Sequence, residues 1–263
     1  MINSNTPVVI LAGGFGTRIS EESYLKPKPM IEIGGMPILV HIIKIYSAQG
    51  FKNFIICAGY KQEKIKEYFA NYFLYNSDIT FNLKTNKRTI HTINSDDINV
   101  TVVDTGLNTQ TGGRVKRIQK YIGDQPFFLA YGDAVGDIKL KEVVKFHEST
   151  KKIVTTTVYN FGQSKGVLDI DSNGNVNAFR EKSDLDGDLI NIGFMVVEPE
   201  IFSYLKNDET NFEKDALTKL VKINQLNSFT HKGYWQCMDT IREKEKLEKL
   251  WDSGKAPWKV WEN

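Results

Sequence analysis

The chain has 263 residues, 41% hydrophobic and 25% charged, a balance that can build a sizeable core and excludes a natively disordered chain. Its 34 Lys and Arg against 32 Asp and Glu leave a formal net charge of +2, without the basic excess of a dedicated nucleic-acid binder, so any anion site must be local. Cys57 and Cys237 are too few for a disulfide framework or a thiolate zinc site, no secretory leader is recognisable, and no apolar run approaches the roughly 20 residues of a membrane helix, so a cytoplasmic protein without nucleic-acid or membrane partners is expected.

Pro7 to Ala12 is a β-branched run that stops at Gly13-Gly14, as a buried parallel strand entering a loop does. The prolines of Lys26-Pro27-Lys28-Pro29 forbid a regular helix and favour extended backbone, which sends the two lysines to opposite sides, Lys28 being the one taken to face a ligand. Pro37 to Gln49 carries Ile38, Leu39, Ile42, Ile43 and Tyr46 at helical spacing, with Gly50 as its stop. Phe51 to Cys57 reads as a second strand and Lys61 to Phe73 as a second helix, the alternation of a parallel α/β sheet. Ile79 to Leu83 and Val100 to Val103 are expected as antiparallel or edge strands. Gln125 to Tyr131 is a further buried strand ending at Gly132-Asp133, with a helix from Leu140 to His147 behind it. Lys152 to Tyr159, Val167 to Ile170 and Gly193 to Val197 read as strands, Asn211 to Ile223 as a helix and the charged, periodic Ile241 to Asp252 as a surface helix. Together they predict a single α/β domain over residues 1–263. Its core, over residues 7–230, is a Rossmann-like mixed, mainly parallel sheet flanked by helices, and residues 231–263 form a small C-terminal β/α appendage.

Leu11-Ala12-Gly13-Gly14-Phe15-Gly16-Thr17-Arg18 follows the first strand, and its glycines let backbone N–H groups come close to a phosphate, with Arg18 adding a fixed charge. The stretch is no dinucleotide fingerprint, since Ile19 stands where the third glycine belongs, and it has no Walker lysine. A glycine-rich turn is by itself as often a plain turn, and a lone lysine is more often solvated. Thr17, Arg18, Lys26 and Lys28 together favour an anion site. Asp133 ends a buried strand at the carboxyl edge where α/β sheets hold ligands, and a carboxylate there suits Mg²⁺. Asp239, among Trp235, Cys237 and Met238, is the second candidate; for each the alternative is a capping or turn aspartate. His41, His91, His147 and His231 show no metal-ligand spacing and accompany no nucleophile motif. The aromatic cluster from Tyr68 to Tyr75 reads as packing, or as cover for a subunit interface.

The order LAGGFGTR, KPKPM, EIGGMPIL, YGD, FREK and WQCMDT resembles the sugar-phosphate nucleotidyltransferase family across nearly the whole chain. Ile65 to Phe73, Val103 to Gly106 with Thr111-Gly112-Gly113-Arg114, and Gly254 to Trp261 resemble its cytidylyltransferase branch. The resemblance implies an enzyme that joins CTP to a sugar 1-phosphate, α-D-glucose 1-phosphate above all, and releases pyrophosphate with Mg²⁺ as cofactor. It implies that Leu11, Ala12, Gly13, Gly14, Gly16, Thr17, Arg18 and Lys28 hold the CTP phosphates, with Gly132 and Asp133 beside the nucleotide. The loop around Thr109, Thr111, Gly112 and Arg114 would recognise cytosine, Asp133 and Asp239 would bind Mg²⁺, and Gly166, Glu181, Lys182 and Asn191 would meet the sugar phosphate. Arg18, Lys28, Asp133 and Asp239 then form the catalytic set.

Family members are commonly homo-oligomers, and the resemblance extends that expectation to this chain. The sequence departs from the branch pattern at Ser164-Lys165-Gly166 for Arg-Phe-Gly, at Ala134 and Ile192 for glycines, and at Ser183 for a proline. Most of these changes fall on the sugar side, so a different phosphate acceptor is one alternative. A non-catalytic sugar-nucleotide-binding regulator on the same fold is the alternative of another class.

Overall fold

In the computed structural model, which describes residues 2–19, 24–92, 96–160, 167–170, 175–180 and 189–262, the strand β1 (Val8–Ala12) is buried on both faces. Val8, Ile10 and Ala12 enter one apolar cluster and Val9 the other, the period-two division that a strand covered by helices on both sides requires. The ribbon β2 (Glu32–Ile33) and β3 (Met36–Pro37) leads into α1 (Ile38–Ser47), β4 (Asn53–Ala58) and α2 (Gln62–Tyr75). The hairpin β5 (Ile79–Asn82) and β6 (Lys87–Ile90) precedes β7 (Asn99–Asp104). After α3 (Thr111–Arg117) and α4 (Gln119–Ile122) come β8 (Phe127–Tyr131), β9 (Ala134–Gly136), α5 (Leu140–Thr150) and β10 (Val154–Asn160). A second hairpin, β11 (Val167–Ile170) and β12 (Val176–Arg180), precedes β13 (Leu189–Asn191) and β14 (Met195–Val197). The chain closes with α6 (Thr218–Lys222), β15 (Leu226–His231), β16 (Trp235–Cys237) and α7 (Ile241–Asp252).

In the central sheet β7, β4, β1 and β8 lie side by side and parallel, β14 is antiparallel to both β8 and β10, and β15 runs parallel along β10. The sheet is therefore mixed and mainly parallel, as expected. One face packs on α1, α2, α5 and α7 through Ile38, Ile65, Leu140 and Leu247, and the other on α3, α4 and the 199–222 segment through Val115, Ile122, Phe202 and Leu220. Among the described residues no helix is long and apolar enough to cross a membrane.

Three expectations change in detail. Lys28–Met30 forms a single 3₁₀ turn after the extended Pro27, because Pro29 falls in the first turn, where its missing N–H has no bond to lose. The helix expected over Asn211 to Ile223 opens as a π-helical turn, Phe212–Leu217, before α6. The strand expected from Gly193 begins at Met195, because the pairing with β10 is bulged. Val158 faces Asn191 and Thr155 faces Val196, so two extra residues must be taken up around Gly193 (φ +78°) and Phe194 (φ +46°). Thr157 holds the bulge by accepting from Ile192 N (3.0 Å) and donating its hydroxyl to Phe194 O (3.0 Å).

The C-terminal segment shares the main core through Trp235, Met238, Leu247 and Trp258. β16 pairs with β9, and the Met238 N–H donates to Asp133 O (2.8 Å), which delivers Asp239 to the end of β8. A capping box starts α7: Thr240 Oγ1 accepts from Glu243 N, and the Glu243 carboxylate accepts from Thr240 N (2.9 Å) and Asp239 N (2.7 Å). Further on, the buried Trp258 donates its indole N–H to His41 Nδ1 (3.2 Å). His41 Nε2 must then carry the proton, which it donates to Ile33 O (2.9 Å), while Trp251 packs edge-on against the imidazole (4.8 Å). Burial, with a smaller push from the Lys44 charge, lowers the His41 pKa from 6.5 to about 4.

A histidine kept neutral by folding stabilises the protein fully above its unfolded pKa, and that contribution is lost as the pH falls from 6.5 towards 4. The loss amounts to about 3 kcal/mol. Unfolding followed across this window should show a shallower acid slope in His41→Gln than in the wild type; parallel slopes would contradict the assignment.

Candidate active site

The carboxyl ends of β1 and β8 and the loop beyond β7 open on one cleft of about 610 Å³. Its floor is the Gly13–Arg18 loop leaving β1, its far wall the Leu107–Thr111 loop beyond β7, and its near wall Tyr131-Gly132-Asp133 with Lys28 and Pro29. Of the residues expected beside a nucleotide, Leu11, Ala12, Gly13, Gly14, Gly16, Thr17, Arg18, Lys28, Thr109, Thr111, Arg114, Gly132 and Asp133 all line this cavity. Gly112 does not: its backbone packs on Thr210, whose carbonyl would lie 2.7 Å from an added Cβ.

The four residues of the catalytic set form one ionic cluster. Lys28, 8% exposed, donates to Asp133 Oδ2 (2.5 Å) and Asp239 Oδ1 (2.5 Å), and Arg18 Nη1 reaches Asp239 Oδ2 at 2.8 Å. Burial works against the Lys28 charge, yet the two carboxylates hold its pKa above the ordinary lysine value. Lys26, by contrast, turns outward to Glu32 (2.7 Å). Two carboxylate oxygens converging on one point, with both side chains partly open, are the hard donor set that Mg²⁺ accepts when substrate oxygens and water complete its shell. Among the described residues no cluster of three or more His, Cys, Asp or Glu exists to hold a metal by protein ligands alone.

Arg114, expected at the base, lines the cleft from its floor, with most of its side chain buried. It is 5% exposed, and Nη1 donates to Thr105 Oγ1 (2.8 Å) and Gly106 O (2.6 Å), while Nη2 donates to Gly13 O (3.0 Å) and Leu107 O (3.1 Å). With those donors engaged, the guanidinium clamps the phosphate loop to the loop after β7. Gly13 is required here, because any Cβ would overlap the guanidinium. Gly14 has nothing within 4 Å of such an atom, so its upper side is free for a ligand.

Asn191, expected on the acceptor side, donates Nδ2 to Tyr131 Oη (3.0 Å). Gly166, Glu181 and Lys182, with Ser164, Lys165 and Ser183, lie outside the described residues. Ile192, expected to add bulk on the acceptor side, is 1% exposed and packs into the core. Ala134 is likewise buried, opposite Cys237. None of the four histidines lines the cleft. Burial raises both cysteine thiols to about 12, so neither is a thiolate nucleophile at neutral pH. Sequence reasoning passed over Asn108, Gln110 and Tyr131 on the cleft walls, and Glu213, which accepts from both Thr111 and Tyr131. Tyr131 belongs to the YGD motif but was given no role there; Glu213 carried no local signal.

The nucleotidyl transferase family model matches residues 7–242. The chain is 50% identical over 255 residues to the glucose-1-phosphate cytidylyltransferases of Salmonella typhi and Salmonella typhimurium, covering 97% of this chain and 99% of each of theirs. A solved structure of UDP-glucose pyrophosphorylase complexed with UDP-glucose has the same fold, with a TM-score of 0.68 at 17% identity over 95% of this chain and 99% of that one.

Arg114→Met would take the buried donor from the Gly106 and Leu107 carbonyls and leave Gly13 O with only the Tyr60 N–H (3.2 Å), at about 1–3 kcal/mol for each group left unpaired. Denaturant titration should therefore show a loss of about 2 kcal/mol or more, only partly restored in Arg114→Lys, whose single ammonium cannot span the same acceptors. A loss below about 1 kcal/mol would rule out the clamp.

Proposed function

The chain belongs to the nucleotidyl transferase family, and from that footing we propose that it joins CTP to α-D-glucose 1-phosphate, giving CDP-glucose and pyrophosphate. The observation that carries this reading is the cleft itself, a bare glycine loop with Lys28 and Arg18 at its carboxylate end, in a chain half identical to glucose-1-phosphate cytidylyltransferases along nearly its whole length. Ile192 and Ala134 are both core residues, which favours the same acceptor as those relatives over a different phosphate.

The chemistry fits a direct in-line displacement. A phosphate oxygen of the sugar 1-phosphate attacks the α-phosphorus of CTP, the bond to the β-phosphate oxygen breaks, and pyrophosphate leaves. A phosphate monoester has its second pKa near about 6, so the nucleophile is already ionised at neutral pH and needs no general base. The obstacle is repulsion between two polyanions held within about 3–3.5 Å. Lys28 and Arg18 are the cations placed to oppose it, Arg18 at the open end where the leaving pyrophosphate would emerge. Mg²⁺ held by Asp133 and Asp239 would supply further charge neutralisation and orient substrate phosphates. The Gly13–Arg18 loop would cradle the CTP phosphates, and the Leu107–Thr111 wall, with Asn108, Thr109 and Gln110, would read the base.

The same reading extends to a homo-oligomer. Tyr75, Phe81, Leu83 and Ile90, on α2 and the β5–β6 hairpin, expose large apolar side chains that a second copy would cover. Light scattering should give a multiple of 30.0 kDa; a mass of one chain would refute it.

Pyrophosphate release with Mg²⁺, CTP and glucose 1-phosphate should exceed release with UTP, dTTP or GTP, and with other sugar 1-phosphates. Arg18→Ala should lower kcat about a hundredfold with a smaller change in KM for CTP. Activity with CTP and only another phosphate would reassign the acceptor, and silence with every pair would favour a non-catalytic sugar-nucleotide binder.

A further inference from the structure

Glu213 lies in the π-helical turn Phe212–Leu217, outside every motif, yet its carboxylate joins the two walls of the cleft. Thr111 donates its hydroxyl to Oε2 (2.8 Å) from the nucleotide wall, and Tyr131 donates its phenol to Oε1 (2.8 Å) from the end of β8. Beyond Tyr131 the chain of bonds continues to Asn191, whose Nδ2 donates to the phenol oxygen (3.0 Å).

The direction of every bond in this chain is fixed, because a backbone N–H anchors each end. The Phe212 N–H donates to Thr111 Oγ1 (2.9 Å), so the threonine proton is directed to Glu213. The Gly193 N–H donates to Asn191 Oδ1 (3.0 Å), as does the Thr156 hydroxyl (2.6 Å), so the asparagine presents its NH₂ to Tyr131 and the phenol proton must go to Glu213. The group between the two hydroxyls must therefore accept twice, which a carboxylate does and a carboxamide does not.

Resting on the functional reading above, we infer that Glu213 is a positioning residue. As a double acceptor it sets the orientation of Thr111 towards the nucleotide and, through Tyr131, that of the Asn191 amide towards the acceptor phosphate. In Glu213→Gln the new NH₂ must face one of the two hydroxyls. One of Thr111 and Tyr131 then loses its proton acceptor, with the Asn191 amide turned against the Gly193 N–H where it is Tyr131, and the other keeps only a neutral amide oxygen in place of a charge-assisted bond, so both halves are weakened. Tyr131→Phe cuts only the acceptor-side half and leaves Thr111 on Glu213.

The test combines calorimetric titration of CTP with steady-state kinetics on wild type, Glu213→Gln, Tyr131→Phe and the double variant. Glu213→Gln is expected to weaken CTP and raise KM for the sugar 1-phosphate, by about tenfold in total, with a smaller change in kcat. Tyr131→Phe should raise the acceptor KM alone, with CTP affinity within about twofold of wild type, and the double variant should add nothing to the acceptor KM beyond Glu213→Gln. Equal losses of kcat with both KM values unchanged, or additive acceptor effects in the double variant, would overturn the inference, since a purely structural residue gives those patterns. If Glu213→Gln does not fold, Tyr131→Phe decides: an acceptor-only effect supports the relay, and an effect on both substrates or on neither overturns it. A wild type that binds no CTP would instead sink the functional reading on which the inference rests.

Discussion

The catalytic edge of this protein depends on one buried cation. Parallel strands end in carbonyls that point towards the loops beyond them, and Arg114 gathers those of Gly13, Gly106 and Leu107 under a single guanidinium. Among the described residues no carboxylate is paired with it by hydrogen bond; the charge is solvated by backbone dipoles and the Thr105 hydroxyl. A planar fork of five donors suits that task in a way an ammonium does not. The clamp also explains part of the glycine loop. Gly13 is side-chain-free because Arg114 fills the space below it, while Gly14 is open above. One loop thus meets two demands, a packing demand from beneath and a ligand demand from the cleft.

Above that floor lies a second, ionic layer. Lys28 comes from the 3₁₀ turn after the prolines, Asp133 from the end of β8 and Asp239 from the segment after β16, so three distant stretches of chain meet at one ammonium. Two cations and two carboxylates cancel, which keeps the partly buried cluster affordable without a ligand. A divalent cation between the carboxylates would shift that balance and leave Lys28 and Arg18 to answer phosphate. Neutrality without ligand and positive charge with Mg²⁺ would be two states of the same four side chains. The placement of Asp239 depends in turn on the Glu243 capping box and on the β9–β16 pairing.

Much of this was legible in the sequence for a plain physical reason. β1, β4 and β8 are buried on both faces and therefore read as unbroken apolar runs, and the loops at their carboxyl ends follow directly. The proline pair around Lys28 announced irregular backbone, and the lysine it turns inward is the one expected. What stayed hidden was set by contacts between distant residues. The resemblance marked Arg114 as a base-reading arginine; only the fold shows its guanidinium also tying the loop carbonyls together at the floor of the cleft. The bulge at Gly193 comes from the register with β10, and the β9–β16 ribbon from two short runs a hundred residues apart. Glu213, a charged residue in a helical pattern, is indistinguishable locally from a solvated one.

The two halves of the cleft are consequently built by different means. The nucleotide half is fixed from below by a buried arginine and from the side by Thr109, Thr111 and the 208–212 segment, so its shape follows from the packing of the sheet. Asn191, proposed for the acceptor half, sits at the edge of a bulged strand, and its orientation passes through side-chain hydrogen bonds rather than through the core. The fold is shared with UDP-glucose pyrophosphorylase at 17% identity, so the architecture persists while most side chains diverge. On the proposed reading, discrimination between nucleotides would be stiff because changing it would mean repacking the floor. Discrimination between acceptors would be adjustable if it rests, as inferred above, on the exposed Asn191 held in line by the Glu213 carboxylate.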